Sequence, residues 1–227
     1  MTFIRQYTDA SYPVFQKEEC VEDAVKLLLH SRLYAAPVLD GKQFLAMASL
    51  HELQAGLNEA EDSSSLKVSH LHFRSSVVLD IREHLLDSIS RIADDTLPVI
   101  AVTGDDGGYE GVVLRDELFR DVASVFNLLG DEFTLELEVP SMGVKISEIV
   151  QSIEKNDAMV LSFGARAPEP DAAGMVITFR VHTSSLYRLV KNLEKYGYLI
   201  GYHSPYSGEG RDELRDKALE FMRYIDM

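Results

Sequence analysis

Two stretches of this chain run through the same order of segments, and that repetition constrains the fold more than any other feature. Val14–Leu53 and Val77–Leu118 each contain a short apolar strand, an amphipathic helix, an apolar strand, a glycine-bearing turn, another apolar strand and the start of a second helix. In the first copy Val21, Ala24, Val25, Leu28 and Leu29 recur at helical spacing, and in the second Leu85, Leu86, Ile89 and Ile92 do. Both copies carry Pro-Val at the next strand, Pro37-Val38 and Pro98-Val99, and this pair aligns them. A proline early in a strand sits where no ladder N–H is needed. Asp40-Gly41 and Gly104–Gly108 read as the turns. Neither copy holds enough apolar surface for its own core, so the two are expected to pack together.

The polar run Glu59–Ser65 reads as the loop between copies. A helix opening near Asp116 is predicted to continue through Val122, Val125, Phe126 and Leu129 and to stop at Gly130. Beyond it the pattern changes. Phe133–Val139 alternates apolar and acidic residues, the period of a strand with one wet face. A turn at 140–143, a helix over Ile146–Glu154, strands over Ala158–Phe163 and Met175–Val181 joined by the loop Ala165–Gly174, a helix over Ser184–Tyr196 and a strand over Tyr198–Tyr202 follow. That order, β-α-β-β-α-β, is the split βαβ arrangement. The expected fold class is α+β. The expected domains are a tandem pair over residues 1–129 (repeat one about 1–60, repeat two about 66–129), a second domain over 131–206 and a C-terminal helix over 207–227.

Composition narrows the function. A chain of 227 residues suits two domains, and 46% hydrophobic with 26% charged residues is ordinary for a globular protein. Against 37 acidic residues stand 22 basic ones, a net charge of -15. Phosphate backbones repel such a surface, so no nucleic-acid partner is expected. A polyphosphate ligand would need locally placed Arg, Lys or helix N-termini. No stretch approaches the ~18 apolar residues of a membrane span. The start, Met1–Pro13, has no apolar run of signal-peptide length. With Cys20 as its one cysteine the chain forms no internal disulfide. A soluble cytoplasmic protein with no membrane partner is expected.

The repeat resembles the paired CBS domain, or Bateman module. In that family the second strand–helix junction reads Gly-hydrophobic-hydrophobic-Thr/Ser-x-x-Asp, whose hydroxyl and carboxylate hold the ribose and phosphate region of an adenosine nucleotide. Copy one reads Ala46-Met47-Ala48-Ser49-Leu50-His51-Glu52, and copy two Gly111-Val112-Val113-Leu114-Arg115-Asp116-Glu117. Ser49 keeps the hydroxyl and Leu114 does not; both acidic positions are Glu, and Ala46 replaces the glycine of copy one. The resemblance implies two clefts shared between repeats. Cleft A would combine Ser49 and Glu52 with Val77, Val78, Thr96 and Leu97. Cleft B, with the weaker motif, would combine Leu114 and Glu117 with Val14, Phe15, Ala35 and Ala36. Ser49-x-x-Glu52 also spells a capping box, which stabilises a helix start with no ligand at all. Arg115 reads either as a phosphate-binding charge or as a solvated helix start.

The segment from Phe133 to His203 resembles an ACT domain. Such domains pair and bind amino acids beside the loop after their first strand, matched here by Ser141, Met142 and Gly143, with Pro140 in place of the usual acid. The order CBS–CBS–ACT is similar to the acetoin-utilisation type of bacterial CBS protein. The resemblance implies a regulatory protein that is not an enzyme, binds an adenosine nucleotide or S-adenosyl compound and an amino acid, and forms a homodimer. The alternative is a dimeric module that has lost its ligand and docks onto a partner protein. No cofactor, metal or catalytic residue is expected: the chain lacks a Gly-rich phosphate loop, a nucleophile elbow and a Cys set, and His70-x-His72 reads as a surface pair.

Overall fold

The computed structural model describes residues 2–60, 62–140, 145–166 and 174–206. It divides into two compact units, the first closing at Val122 and the second opening at Ala123.

In the first unit each copy becomes a three-stranded sheet. Strand β1 (Phe15–Gln16) lies parallel to β2 (Ala35–Asp40), which lies antiparallel to β3 (Gln43–Ser49). A parallel pair needs a crossover, and helix α1 (Val21–Ser31) supplies it. Helix α2 (Leu50–Glu59) follows β3. The second copy repeats this with β4 (Val78–Asp80), α3 (Leu85–Asp94), β5 (Val99–Thr103), β6 (Tyr109–Leu114) and α4 (Arg115–Val125). β2 and β5 are the central strands, and their near-continuous apolar runs are buried almost throughout.

Strand register fixes how the copies correspond. Phe15 pairs with Val38 and Leu79 with Val102, a shift of 64 residues (79 against 15, 102 against 38). The alignment on prolines is therefore wrong by three positions. Pro37, inside β2, corresponds to Ala101, and Pro98, just before β5, corresponds to Tyr34. β1 pairs with β2 only from Val38 onward, so β2 has no β1 partner at Pro37.

The same shift relates the segments that lead into each copy, and these are exchanged. Ile4, ahead of repeat one, is buried in the core of repeat two with Leu79, Leu85 and Ile100. Val68, ahead of repeat two, is buried in the core of repeat one with Phe15, Val21 and Leu28. Their backbone bonds match pair for pair: Ile4 N donates to the Glu83 carbonyl as Val68 N does to Glu19, and Arg5 N donates to Ile81 as Ser69 N does to Lys17. Each repeat thus completes the core of the other, which is the physical form of the expected pairing. A third cluster, Ala35, Met47, Val99, Ala101 and Val112, fills the space between the sheets.

Helix faces follow the predicted stripes except at their margins. Val21, Ala24, Val25 and Leu28 are buried in α1 and Leu85 and Ile92 in α3, while Leu29 and Leu86 are exposed beyond the packed stripe. Helix α4 stops at Val125, short of the predicted end at Gly130. Asn127 takes a left-handed φ of 53°, and Leu128 N reaches back to the Ala123 carbonyl. Asn127 therefore provides the helix stop expected of Gly130.

The second unit is a four-stranded antiparallel sheet in the order β10-β7-β9-β8. Its elements are β7 (Phe133–Pro140), α5 (Ile146–Glu154), β8 (Ala158–Arg166), β9 (Gly174–Thr183), α6 (Leu186–Lys195) and β10 (Leu199–His203). Alternation places Leu135, Leu137, Ile177, Phe179 and Val181 on one face, packed with Ile149 and Ile153 of α5 and Leu186, Leu189, Val190 and Leu193 of α6. β8 runs three residues past its predicted end at Phe163. Arg180 of β9 donates to the carbonyls of Asn127 and Gly130 and to the Thr134 hydroxyl, holding the segment before β7 against the sheet. The expected ligand loop Ser141, Met142 and Gly143 and the expected helix over 207–227 lie outside the described residues. Among the described residues no helix is long and apolar enough to cross a membrane.

Candidate functional site

A cavity of about 590 Å³ opens between the repeats. Ser49 and Glu52 line it from repeat one, at the junction of β3 and α2; Val77, Thr96 and Leu97 line it from repeat two, before β4 and β5. Five of the six residues expected at cleft A are thus brought together. Val78, the sixth, lies one residue further along, in β4, with its carbonyl accepting from Arg91.

The cavity is strapped by two carboxylates, one from each repeat. Glu52 Oε2 accepts the Ser49 N–H at 3.1 Å and the Ser49 hydroxyl at 2.5 Å, while Ser49 Oγ accepts the Glu52 N–H at 3.2 Å. This is the capping box that the spacing allowed. Glu52 Oε1 accepts the N–H of Arg74 at 3.1 Å. A carboxylate has about four lone-pair sites, so roughly one on Oε1 stays open. Asp95 Oδ2 takes the Val77 N–H and Oδ1 the Leu97 N–H, both at 2.9 Å. The connector from Arg74 to Val77 is therefore pinned at both ends and forms one wall of the cavity. Burial pushes the Glu52 pKa up, but the Ser49 hydroxyl, the N–H groups of Arg74 and Ser49, and the Arg74 charge together hold it below its ordinary value.

Sequence reasoning missed several lining residues: Arg74, His51, Ser75, Ser76, Asp94 and the inward role of Asp95. Asp94 is the last residue of helix α3 and Asp95 its C-cap, and both also line the cavity. Arg115 neither faces solvent freely nor lines the cavity. Its guanidinium donates to the Asp95 carbonyl at 2.5 Å and lies 5.6 Å from the Phe119 ring, bracing the wall from behind.

At cleft B the register changes the membership. The residues that correspond to Thr96 and Leu97 are Arg32 and Leu33, whereas Ala35 and Ala36 are wholly buried in the packing of repeat one and of the space between the sheets. Phe15 is likewise wholly buried and corresponds to Leu79, the core residue of β4. Val14 is half-buried, and Leu114 and Glu117 are exposed. Tyr12 marks one difference between the clefts. It stands where Ser76 stands in cleft A (76 against 12), its ring packs against the core of repeat one and the cluster between the sheets, and its hydroxyl donates to the Ala35 carbonyl at 3.0 Å. Two small serines line cleft A, while the place that matches Ser76 beside cleft B holds a packed tyrosine ring. An alignment at 64 residues, instead of one on the prolines, would have set Tyr12 against Ser76.

No family model matches the sequence, and no curated protein matches it. Solved structures similar in fold include a CBS domain-containing protein of unknown function from Bacillus anthracis, with 21% identity, 54% of this chain and 93% of that chain covered, and a TM-score of 0.48. A CBS-pair protein from Arabidopsis thaliana matches at 17% identity over 55% of this chain and 96% of that chain, with a TM-score of 0.47; a structure of that protein in complex with AMP matches at 18% identity. A CBS domain pair/ACT domain protein from Thermotoga maritima matches at 11% identity over 57% of this chain and all of that chain, with a TM-score of 0.47.

Proposed function

We propose that the chain is a regulatory protein whose first unit, a CBS pair, binds one adenosine-type ligand in the cavity between its repeats. The cavity itself carries the reading: about 590 Å³ of space, walled by both repeats, with Ser49 and Glu52 at a helix start on one side and Thr96 and Leu97 on the other. A ligand that touches both walls bonds to two bodies at once and so favours one arrangement of them, which is what a sensor requires. The carboxylates argue for binding over catalysis, since Glu52 and Asp95 are each held by two or more N–H or O–H donors rather than left to move protons. The second unit, as an ACT domain, would add an amino-acid site and pair two chains into a cytoplasmic homodimer; a sedimentation run showing only the 25.4 kDa monomer at micromolar concentration would remove the dimer.

The protein's own asymmetry supplies the test. Calorimetric titration with AMP should show one site per chain. Ser76→Tyr, which copies the Tyr12 plug into the open cleft, should abolish it while the circular dichroism spectrum and melting temperature stay close to the parent's. Unchanged AMP binding in Ser76→Tyr would place the ligand elsewhere. Failure of the parent to bind AMP, ATP or S-adenosylmethionine would favour a ligand-free docking module in which Ser49 and Glu52 only cap α2.

A further inference from the structure

A second concavity of about 500 Å³ adjoins the first and shares Ser49, His51, Thr96 and Leu97 with it. Its own lining is of another character: Tyr34, Leu50 and Pro98, with Gln54 at the side. Tyr34 is 74% exposed, the most exposed of the large apolar and aromatic side chains of the first unit. Its backbone is fixed, because its carbonyl accepts the Leu50 N–H at 2.8 Å. An exposed aromatic ring and a proline ring thus flank a shelf that adjoins the polar cavity. The two spaces meet at Ser49 and His51, the N-terminal end of the ten-residue helix α2. One phosphate is tolerable at this helix end, although its Leu50 and Glu52 N–H groups are already taken by the Tyr34 carbonyl and the Ser49 hydroxyl. A cluster of phosphates is not, because Glu52, Asp94 and Asp95 all line the polar cavity against the single guanidinium of Arg74.

We infer that the ligand is a nucleoside joined, through one weakly charged link at the α2 start, to a second flat apolar or aromatic group that lies on the Tyr34–Pro98 shelf. The inference rests on the reading of the cavity as a nucleoside site and adds the class of molecule it selects: a dinucleoside monophosphate or similar two-ring compound in preference to a nucleoside triphosphate. Ring stacking supplies the preference, and it is tolerant of which ring is offered because every base has a π face.

Titration of the full chain with adenosine 5′-monophosphate, adenylyl-(3′→5′)-adenosine and ATP separates the possibilities. The dinucleoside should bind about 5- to 150-fold more tightly than AMP, the worth of one base stacked on an aromatic side chain. ATP should bind no more tightly than AMP. Tyr34→Ala should erase the dinucleoside's advantage and Tyr34→Phe should keep it; AMP, too short to cover Tyr34, should bind all three proteins alike. Equal affinity for AMP and the dinucleoside, or an equal loss of both on Tyr34→Ala, overturns the shelf while leaving the nucleoside cavity standing. An ATP affinity well above that of AMP overturns the charge preference. No binding of any of the three removes the cavity reading, and the shelf with it.

Discussion

Repeat one and repeat two agree in strand register, in crossover helix and in the backbone bonds of their exchanged leading segments, yet they differ at three matched places around the cleft. Ser76 matches Tyr12, Ser49 matches Leu114, and Ala46 matches Gly111. The scaffold is duplicated and the cleft contents are not. The difference in cleft lining lies mainly in the leading segments, which run Ser75-Ser76-Val77 in one case and Ser11-Tyr12-Pro13 in the other. The strand–helix junction motif contributes the capping chemistry but not the space.

The exchange of leading segments is the feature that can be broken most severely. Ile4 is wholly buried in repeat two although it precedes repeat one. Ile4→Ala should cost about 2–5 kcal/mol, the usual range for emptying a buried Ile site. Val68→Ala, at the matching place in repeat one, should cost less because it deletes less side chain. Both should lower a single cooperative transition of the first unit, measured by urea unfolding with a reporter in each repeat. Independent melting of repeat two alone in Ile4→Ala would show that the exchanged contacts do not couple the repeats.

Gly111 against Ala46 comes next. Asp9 bonds to Val112 in both directions across the edge of β6, and a Cβ on Gly111 would lie 2.7 Å from the Asp9 carbonyl oxygen and from Thr8 Cγ2. The glycine also takes a φ of 150°, which L side chains rarely adopt. In repeat one no bridge joins the matching Phe73 to Met47 among the described residues, and Ala46 carries its Cβ there without conflict. Gly111→Ala should therefore destabilise by about 1–3 kcal/mol through backbone strain and displacement of the Thr8–Asp9 strand. Ala46→Gly should cost no more than about 0.5–1 kcal/mol, from strand entropy. Similar losses at both sites in thermal unfolding would refute the idea that the close approach at Asp9 is what keeps one glycine and released the other.

The order of elements was legible because periodicity reports it directly: Ile146–Glu154 reads as a helix in the sequence and is one, and Phe133–Val139 alternates and is a strand. Five of the lining residues were legible through the family resemblance, which set the junction motif beside the strand at Val77 and the approach to Pro98. The register was not, because a proline in each copy offered a false anchor three positions off. Without the register, Tyr12 could not be set against Ser76, and Ala35 and Ala36 were assigned to a cleft when they belong to the core. The leading segments were illegible for another reason. Ile4–Gln6 and Val68–His70 are single 3-10 turns, too short to show a period, and their contacts are with the more distant repeat. Arg74 enters the cavity from a loop and Asp94 from the last turn of α3, placements that no spacing rule anticipates.

The smallest expected effect tests the capping half of the comparison. Ser49 and Glu52 form a reciprocal box at the start of α2, while Leu114 and Glu117 hold the matching places at the start of α4 and Leu114 has no oxygen to offer. Ser49→Ala should cost about 1 kcal/mol. Leu114→Ser recreates Ser-x-x-Glu in repeat two; Leu114 is 40% exposed, so little burial is lost, and a gain of a few tenths to about 1 kcal/mol is expected. Acid sharpens the result. The folded Glu52 pKa lies below its ordinary 4.5, so the box contributes fully above that value and its contribution fades as pH falls through the lower folded value. The difference between the parent and Ser49→Ala should be constant at neutral pH and shrink only below pH 4.5. Denaturant melts across pH measure both arms. A difference that persists unchanged in acid would mean that Ser49 stabilises by packing, and a destabilised Leu114→Ser would mean that its strand pairing with Val99 outweighs any cap.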